Sequence, residues 1–198
     1  RVIIPSLNTN EIVVAEITPQ EWGAVGDGIT DDSHAFQMAI NDVFNSGRFG
    51  GGVVYVPAGN YAFYTNIVIP AGVTLQGDWQ DWTKGTNGLV GTTFKVYYGA
   101  GQTNGPSFIY VTEAGGLRDV NIWYPDQDAS NITAYPFSVE MAGDNFVQNV
   151  VLVNSYQGIT SAMPSKGMAK SVRSTIIGTP LSLGLFKDST YDITYAEN

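Results

Sequence analysis

A chain of 198 residues, 43% of them hydrophobic, suits one domain with a continuous core, or one piece of a larger one. Its 18 acids against 9 bases give a net charge of −9 and a pI near 4.3, a field that repels anions and excludes nucleic acid and anionic membrane as partners. It has no cysteine and one histidine, which excludes disulfide frameworks, thiolate zinc sites and multi-histidine metal sites.

The chain opens "RVIIPSL", with neither an initiating Met nor a leader, and reads as processed or trimmed. Together with the absence of cysteine this fits an exported bacterial protein, secreted or at the cell surface. Residues 1–22 are expected to form an extension, with one domain over 23–198. Apolar runs such as Val53-Val54-Tyr55-Val56 are far shorter than the roughly 18 residues that cross a bilayer, so no membrane insertion is expected.

The stretch "GAVGDGITDDSHAFQMAI" at 23–40 places three glycines and three aspartates before an amphipathic segment. A phosphate loop would need Gly-Lys-Ser/Thr and an EF-hand would need a ladder of acids closing on Glu, and neither is present. Thr30, Asp31 and Asp32 can instead accept the free N–H groups of a helix's first turn, which predicts a helix over 31–45. Phe36, Ile40, Val43 and Phe44 recur at spacings of three and four and mark its apolar face. Asn45-Ser46-Gly47 ends it, and His34 is expected to face solvent.

Downstream, "GGGVVYVPAGNY" (50–61) and "NIVIPAGVTLQGD" (66–78) read as short strands closed by Pro-Ala-Gly turns. A polar residue followed by a β-branched one then recurs as Asp119-Val120, Asn149-Val150, Ser171-Val172 and Asp192-Ile193. Such a pattern marks a solenoid, in which each turn of chain buries its apolar side only against its neighbours. The fold class expected is therefore all-β, a right-handed single-stranded parallel β-helix with an amino-terminal capping α-helix. The open end of such a coil exposes apolar surface and strand edges, and the helix at 31–45 would cover them. An antiparallel sandwich is the alternative. It leaves the helix without a role.

The segments "EWGAVGDGITDDSHAFQMAI", "GGGVVYVPAGNY" and "IVIPAGVTLQGD" in that order resemble the amino-terminal signature of the pectate-lyase superfamily, related to glycoside hydrolase families 28 and 55. "GLRDVNIWYPDQ", "NVVLVNSYQGI" and "GTPLSLGLF" are similar to sequences related to family 28. The resemblance implies a β-helix and action on polysaccharide, but hydrolases, lyases and phage tailspikes share the signature, so it names a scaffold before a reaction. The Asn-Thr-Asp, Asp-Asp, Gly-His-Gly and Arg-Ile-Lys motifs of family 28 polygalacturonases are missing where they would count. Asp31-Asp32 sits at the cap, and His34 has no flanking glycines. The ending "STYDITYAEN" reads as a strand cut short, which is expected if the chain is the amino-terminal part of a longer coil.

Glycoside hydrolysis uses two carboxylates, about 5–5.5 Å apart for retention and about 6.5–9.5 Å for inversion. Asp126, after the strand "VNIWY", and Glu140, in "PFSVEMAG", are the candidate pair on adjacent coils. The competing reading makes Asp126 a turn cap and Glu140 a solvated outward residue. Flat rings stack on pyranose C–H faces, which singles out Trp79 and Trp82 in "DWQDWTKGTNG", with Trp123, Tyr124 and Tyr135 beside the Asp126 loop. These rings could equally pack under loops. A polyuronate lyase would need a basic residue, for which Lys166 and Arg173 are candidates near Lys170, and commonly Ca²⁺; otherwise no cofactor is expected. A third reading is a non-catalytic glycan-binding module such as a tailspike or adhesin segment, self-associating through its coil sides. Polysaccharide is the partner common to all three, and a homo-oligomer or the remainder of a longer coil is the protein partner expected.

Overall fold

The computed structural model describes residues 16–46, 51–80, 90–127, 132–143 and 145–161, with the backbone of two later strands. The strands are β1 (Asp27–Asp31), β2 (Gly52–Val56), β3 (Gly59–Phe63), β4 (Ile67–Ile69), β5 (Val73–Gly77), β6 (Thr92–Val96) and β7 (Ile109–Val111). They continue as β8 (Gly116–Trp123), β9 (Phe137–Met141), β10 (Asn145–Val153), β11 (Gln157–Ser161), β12 (Ala169–Ile177) and β13 (Thr190–Glu197). Every strand pair among them is parallel, which removes the sandwich. The chain winds as a parallel β-helix.

The pairings divide the coil into three faces. Face A runs from β2 through β5 to the first half of β8, with Leu75 beside Leu117. Face B runs β1, β3, β6 and the second half of β8, with Phe94 beside Ile122. Face C is the separate sheet of β4, β7, β9 and β11. From β8 onward one long strand serves both A and B, and it must bend between them. The bends fall at Asp119 and Asn149, which have left-handed backbones with φ of 62° and 51°. Asp and Asn tolerate that conformation better than most residues. Stacked one coil apart, they are joined by the Asn149 amide donating to Asp119 Oδ1 at 2.8 Å.

Alternation then decides what lies inside. Val54, Leu75, Leu117 and Val147 point inward from face A, Phe63, Phe94, Ile122 and Leu152 from B, and Ile67, Ile109, Val139 and Ile159 from C; all are buried. Of the spacings between the four dipeptides, 30, 22 and 21 residues, the first is the true coil offset, since Val120 pairs with Val150. The two shorter ones slip: Ser171 lies beside Val147 rather than Asn149, and Asp192 beside Val172 rather than Ser171. Register follows the inward apolar set while loop lengths vary, so a dipeptide spacing tracks it only where both bends coincide.

The helix α1 spans Ser33–Ser46 and is the only α-helix among the described residues. Phe36, Ile40 and Val43 are buried, as the spacing predicts, but Phe44 is 40% exposed and lies off the apolar stripe. The Phe36 ring enters the end of the prism and meets Tyr61, Phe63 and Phe94 edge-on, at centroid distances of 5.0, 4.9 and 5.4 Å. Helix and coil are tied by two further side chains. The Gln37 amide accepts the Val68 N–H at 2.8 Å and donates to the Val68 carbonyl at 3.1 Å, taking the place of a neighbouring strand beside β4. Ser33 Oγ accepts the N–H groups of Tyr64 and Thr65 at 3.0 and 3.2 Å.

The acidic turn does more than cap a helix. Of the three residues expected to do so, only Asp31 acts on the first turn by its side chain, accepting the Ser33 N–H at 3.0 Å. Thr30 lies in β1 and bonds Asp27, whose carboxylate also takes the Ile29 and Thr30 N–H groups. The Asp32 carbonyl accepts the first helical N–H, from Phe36, but its buried carboxylate turns back to the N–H groups of Val25 and Gly26 at 2.7 and 3.2 Å. Gly26 and Gly28, with φ of 72° and 75°, supply the left-handed turns that make this reversal possible. Ahead of the turn, Ile17 bridges Val54 and a short 3₁₀ turn covers Pro19–Trp22, so this part of the 1–22 stretch already lies against the coil.

Phe36→Ala should lower the unfolding free energy by about 3–5 kcal/mol in a urea titration, because it empties a site walled by three rings. Desolvation raises the Asp32 carboxyl above its ordinary 3.8, opposed by its two backbone N–H bonds. Its contribution to stability is therefore largest below 3.8 and is lost as pH rises through the folded value. In Asp32→Asn the loss of one N–H acceptor should cost about 1–3 kcal/mol. The gap to wild type should narrow as pH rises through that range, measured by denaturation at a series of pH values.

Candidate active site

Face C presents a column of outward residues in strict register: Val68, Tyr110, Glu140 and Thr160. Their neighbours Ile67, Ile69, Ile109, Val111, Val139 and Met141 point into the core, so strand alternation alone fixes which side chains reach solvent. Glu140 stands mid-column on β9. Its Oε2 accepts the hydroxyl of Ser107 at 2.7 Å, and Ser107, just before β7, is itself buried. The carboxylate is thus held by a neighbouring coil, a tie that the reading of Glu140 as a freely solvated residue does not anticipate.

Asp126 lies at the corner between faces B and C, in the turn after β8, and is exposed. It and Glu140 belong to one coil, β8 to β9, rather than to adjacent coils as the sequence reading placed them. The chain between them is closed by Gln127, whose amide accepts the Thr133 N–H at 2.7 Å and donates to the Thr133 carbonyl at 2.9 Å. The negative charge of Asp126 reaches the phenols of Tyr97 and Tyr135. Both are pushed up, mainly by burial and then by neighbouring charges, Asp126 among them.

The aromatic platform expected beside this loop is divided among different surfaces. Tyr124 and Tyr135 are core residues, each 1% exposed, packed edge-on at 4.8 Å, and no sugar can stack on them. Tyr124 follows the inward alternation of face B and bonds the buried Ser138 hydroxyl at 2.8 Å. Burial drives its phenol far above the ordinary range, with the Ser138 bond acting the other way. Trp123, its neighbour, faces outward on B with the Lys95 ammonium 5.5 Å from its ring centre. Trp79 is 51% exposed in the loop between β5 and β6, on the A–B side, away from face C. Trp82, Lys166 and the Arg173 side chain fall outside the described residues; Arg173 itself lies within β12.

The sequence reading missed another pair. Tyr64 and Tyr97, which follow β3 and β6, stack face to face at 4.9 Å with 12° between their planes, on the same B–C corner as Asp126. The signal was there in "YAFYT" and "FKVYY", a tyrosine directly after the last inward residue of consecutive face-B strands.

The sequence profile described as rhamnogalacturonase A/epimerase, pectate lyase-like, matches residues 19–170. The chain belongs to this family. Among curated relatives, the mannuronan C5-epimerase AlgE5 of Azotobacter vinelandii is 48% identical over 42 residues, 21% of this chain and 4% of that enzyme. A glucan 1,3-beta-glucosidase of Cochliobolus carbonum is 43% identical over 56 residues, 25% of this chain and 7% of that enzyme. Among solved structures, the A-module of the Azotobacter vinelandii mannuronan C-5 epimerase AlgE4 aligns with a TM-score of 0.54 at 20% identity, over 82% of this chain and 43% of the module. ORF18 of Geobacillus virus E2 gives 0.53 at 17% identity, over 91% of this chain and 40% of that one. This pectate lyase-like chain thus spans under a tenth of those curated relatives and under half of those structures. The structural likenesses establish the parallel β-helix. The family is carbohydrate-active.

Because Tyr124 is a core residue, Tyr124→Phe should cost about 0.5–1.5 kcal/mol for the lost bond to Ser138. Glycan affinity, measured by calorimetry, should stay that of wild type.

Proposed function

We propose that the chain is part of a polysaccharide-cleaving glycoside hydrolase in which Asp126 and Glu140 serve as the carboxylate pair. The observation that carries this reading is the Ser107 hydroxyl on Glu140 Oε2, a buried donor on the neighbouring coil that fixes an outward carboxylate in one orientation. An outward Glu with no chemical task would gain little from such a tie. Glu140, oriented as an acceptor, takes the role of base toward water or of nucleophile toward the anomeric carbon, and Asp126 is the second carboxyl group of the pair. Gln127, next to Asp126, is clasped to Thr133 on the path to Glu140. Polysaccharides are met outside the cell, so an exported location goes with this reading.

The identity to mannuronan C5-epimerases over 42 residues favours a second reading, proton abstraction at C5 of a uronate followed by reprotonation or by β-elimination. In that case Asp126 or Tyr110, on the same surface, would be the groups to examine first.

The purified chain should be incubated with a panel that includes β-1,3-glucan and mannuronan, and followed by reducing ends, unsaturated-uronate absorbance and proton exchange at C5. Hydrolysis releases reducing ends alone, and Glu140→Gln and Asp126→Asn should each slow it by about 10²–10⁴-fold without loss of glycan binding. Unsaturated products or exchange would transfer the site to the second reading, and binding without turnover would refute both.

A further inference from the structure

Tyr64 and Tyr97 occupy a place that neither carboxylate explains. Aromatic pairs meet edge to face or offset-stacked, and every other described pair here is edge to face, with interplanar angles of 61° to 85°. Tyr64 and Tyr97 alone among them are parallel, at 12°. Their spacing of 4.9 Å is that of successive strands, about 4.8 Å, so the coil repeat rather than core packing sets it. Tyr64 remains 49% exposed although the chain beside it is held firmly, its own N–H and that of Thr65 both bonded to Ser33 Oγ. Tyr97 covers one face of the Tyr64 ring and leaves the ring a stable, solvent-facing plate on an anchored backbone.

The order along this corner gives the plate a direction. Asp126 follows β8, Tyr97 follows β6 and Tyr64 follows β3, one coil apart in each case, since Phe63 stands level with Val96 and Lys95 with Trp123. Tyr64 therefore lies two coils, about 10 Å, from the level of Asp126 and Glu140, toward the capped end of the prism. That is beyond the reach of a sugar unit bound between the carboxylates, yet in line with them.

We infer that Tyr64, braced by Tyr97, is an outer sugar subsite that stacks on the C–H face of a pyranose ring and makes a bound polysaccharide run along the prism axis toward the amino-terminal cap. This rests on the carbohydrate-acting reading above and adds to it a polymeric substrate and a chain direction. Such a contact binds ground state and transition state alike, so it acts on affinity and KM rather than on kcat. It is met only by chains long enough to span two coils.

The test uses Glu140→Gln as background, so that binding is measured without turnover, and β-1,3-glucan and mannuronan oligomers from dimer to octamer as ligands in calorimetry. Tyr64→Ala should weaken octamer binding at least about fivefold, the loss expected of one stacking contact, while dimer affinity matches that of the Glu140→Gln parent. Tyr64→Phe, which keeps the ring, should restore the octamer, and Tyr97→Ala should lose part of the affinity because the brace is gone. Equal octamer affinity in the parent and Tyr64→Ala, or an equal loss for dimer and octamer, would overturn the outer subsite while leaving the carboxylate assignment standing. If the parent bound neither series, the carbohydrate reading itself would fall, and the subsite with it.

Discussion

Each coil of a parallel β-helix has its backbone satisfied by the coil above and the coil below, and among the described residues the first coil has no full coil below it. In this protein side chains from one helix and one acidic turn replace the missing strands. Gln37 uses both ends of its amide on Val68, Ser33 takes two N–H groups at once, and Asp32 takes two more at the Val25–Gly26 turn. Phe36 fills the apolar end between three rings. An open edge and an open core would each be a template for aggregation, and both are closed within the span from Val25 to Val68.

The second constraint is the corner. A strand that serves faces A and B must bend between them, and in β8 and β10 the bend is made by a residue with a left-handed backbone. Asp119 and Asn149 do so in register and bond one another, which ties the bend of one coil to the bend of the next. Faces A and B thus become one continuous nine-stranded wall, and face C stays a separate four-stranded sheet with loops on either side. Glu140, Ser107, Asp126 and the tyrosine pair all lie on face C or on its border with B. The rigid wall and the variable loops are different parts of the coil, as expected where function is carried on a stable frame.

Much of the architecture was legible because it rests on local patterns. The turn "GDGITDD", the apolar stripe through Phe36, Ile40 and Val43, and the inward alternation of "VVYV" and "IVI" each name their element without help from distant chain. The site was less legible because it depends on which strand lies next to which. Ser107 is thirty-three residues from Glu140 and has no local pattern that marks it. Tyr124 differs from Trp123 by one position, yet alternation puts one in the core and the other on the surface, so the aromatic cluster expected near Asp126 came apart. The capping aspartates divided for a similar reason. Asp31 reads the helix next to it, whereas Asp32 answers N–H groups six and seven residues back that only the glycine turns bring close.

Glutamine amides recur where this coil lacks a strand. Gln37 pairs with the Val68 backbone, Gln127 with that of Thr133, and Gln157 donates to the carbonyls of Thr103 and Tyr135 at 3.1 and 3.2 Å. A primary amide offers a carbonyl acceptor and two N–H donors in one plane, so it can mimic a peptide unit, as Gln37 and Gln127 do, or bridge two carbonyls, as Gln157 does. The Gln127 clasp lies next to Asp126 in the chain. Asp126 and Glu140 share a coil, and Gln127 and Thr133 both lie on the path between them. Fixing Thr133 to Gln127 shortens the free segment on the Asp126 side, while Ser107 fixes Glu140 from the coil before. The backbone beside Asp126 and the carboxylate of Glu140 are thus restrained independently, one along the chain and one across it.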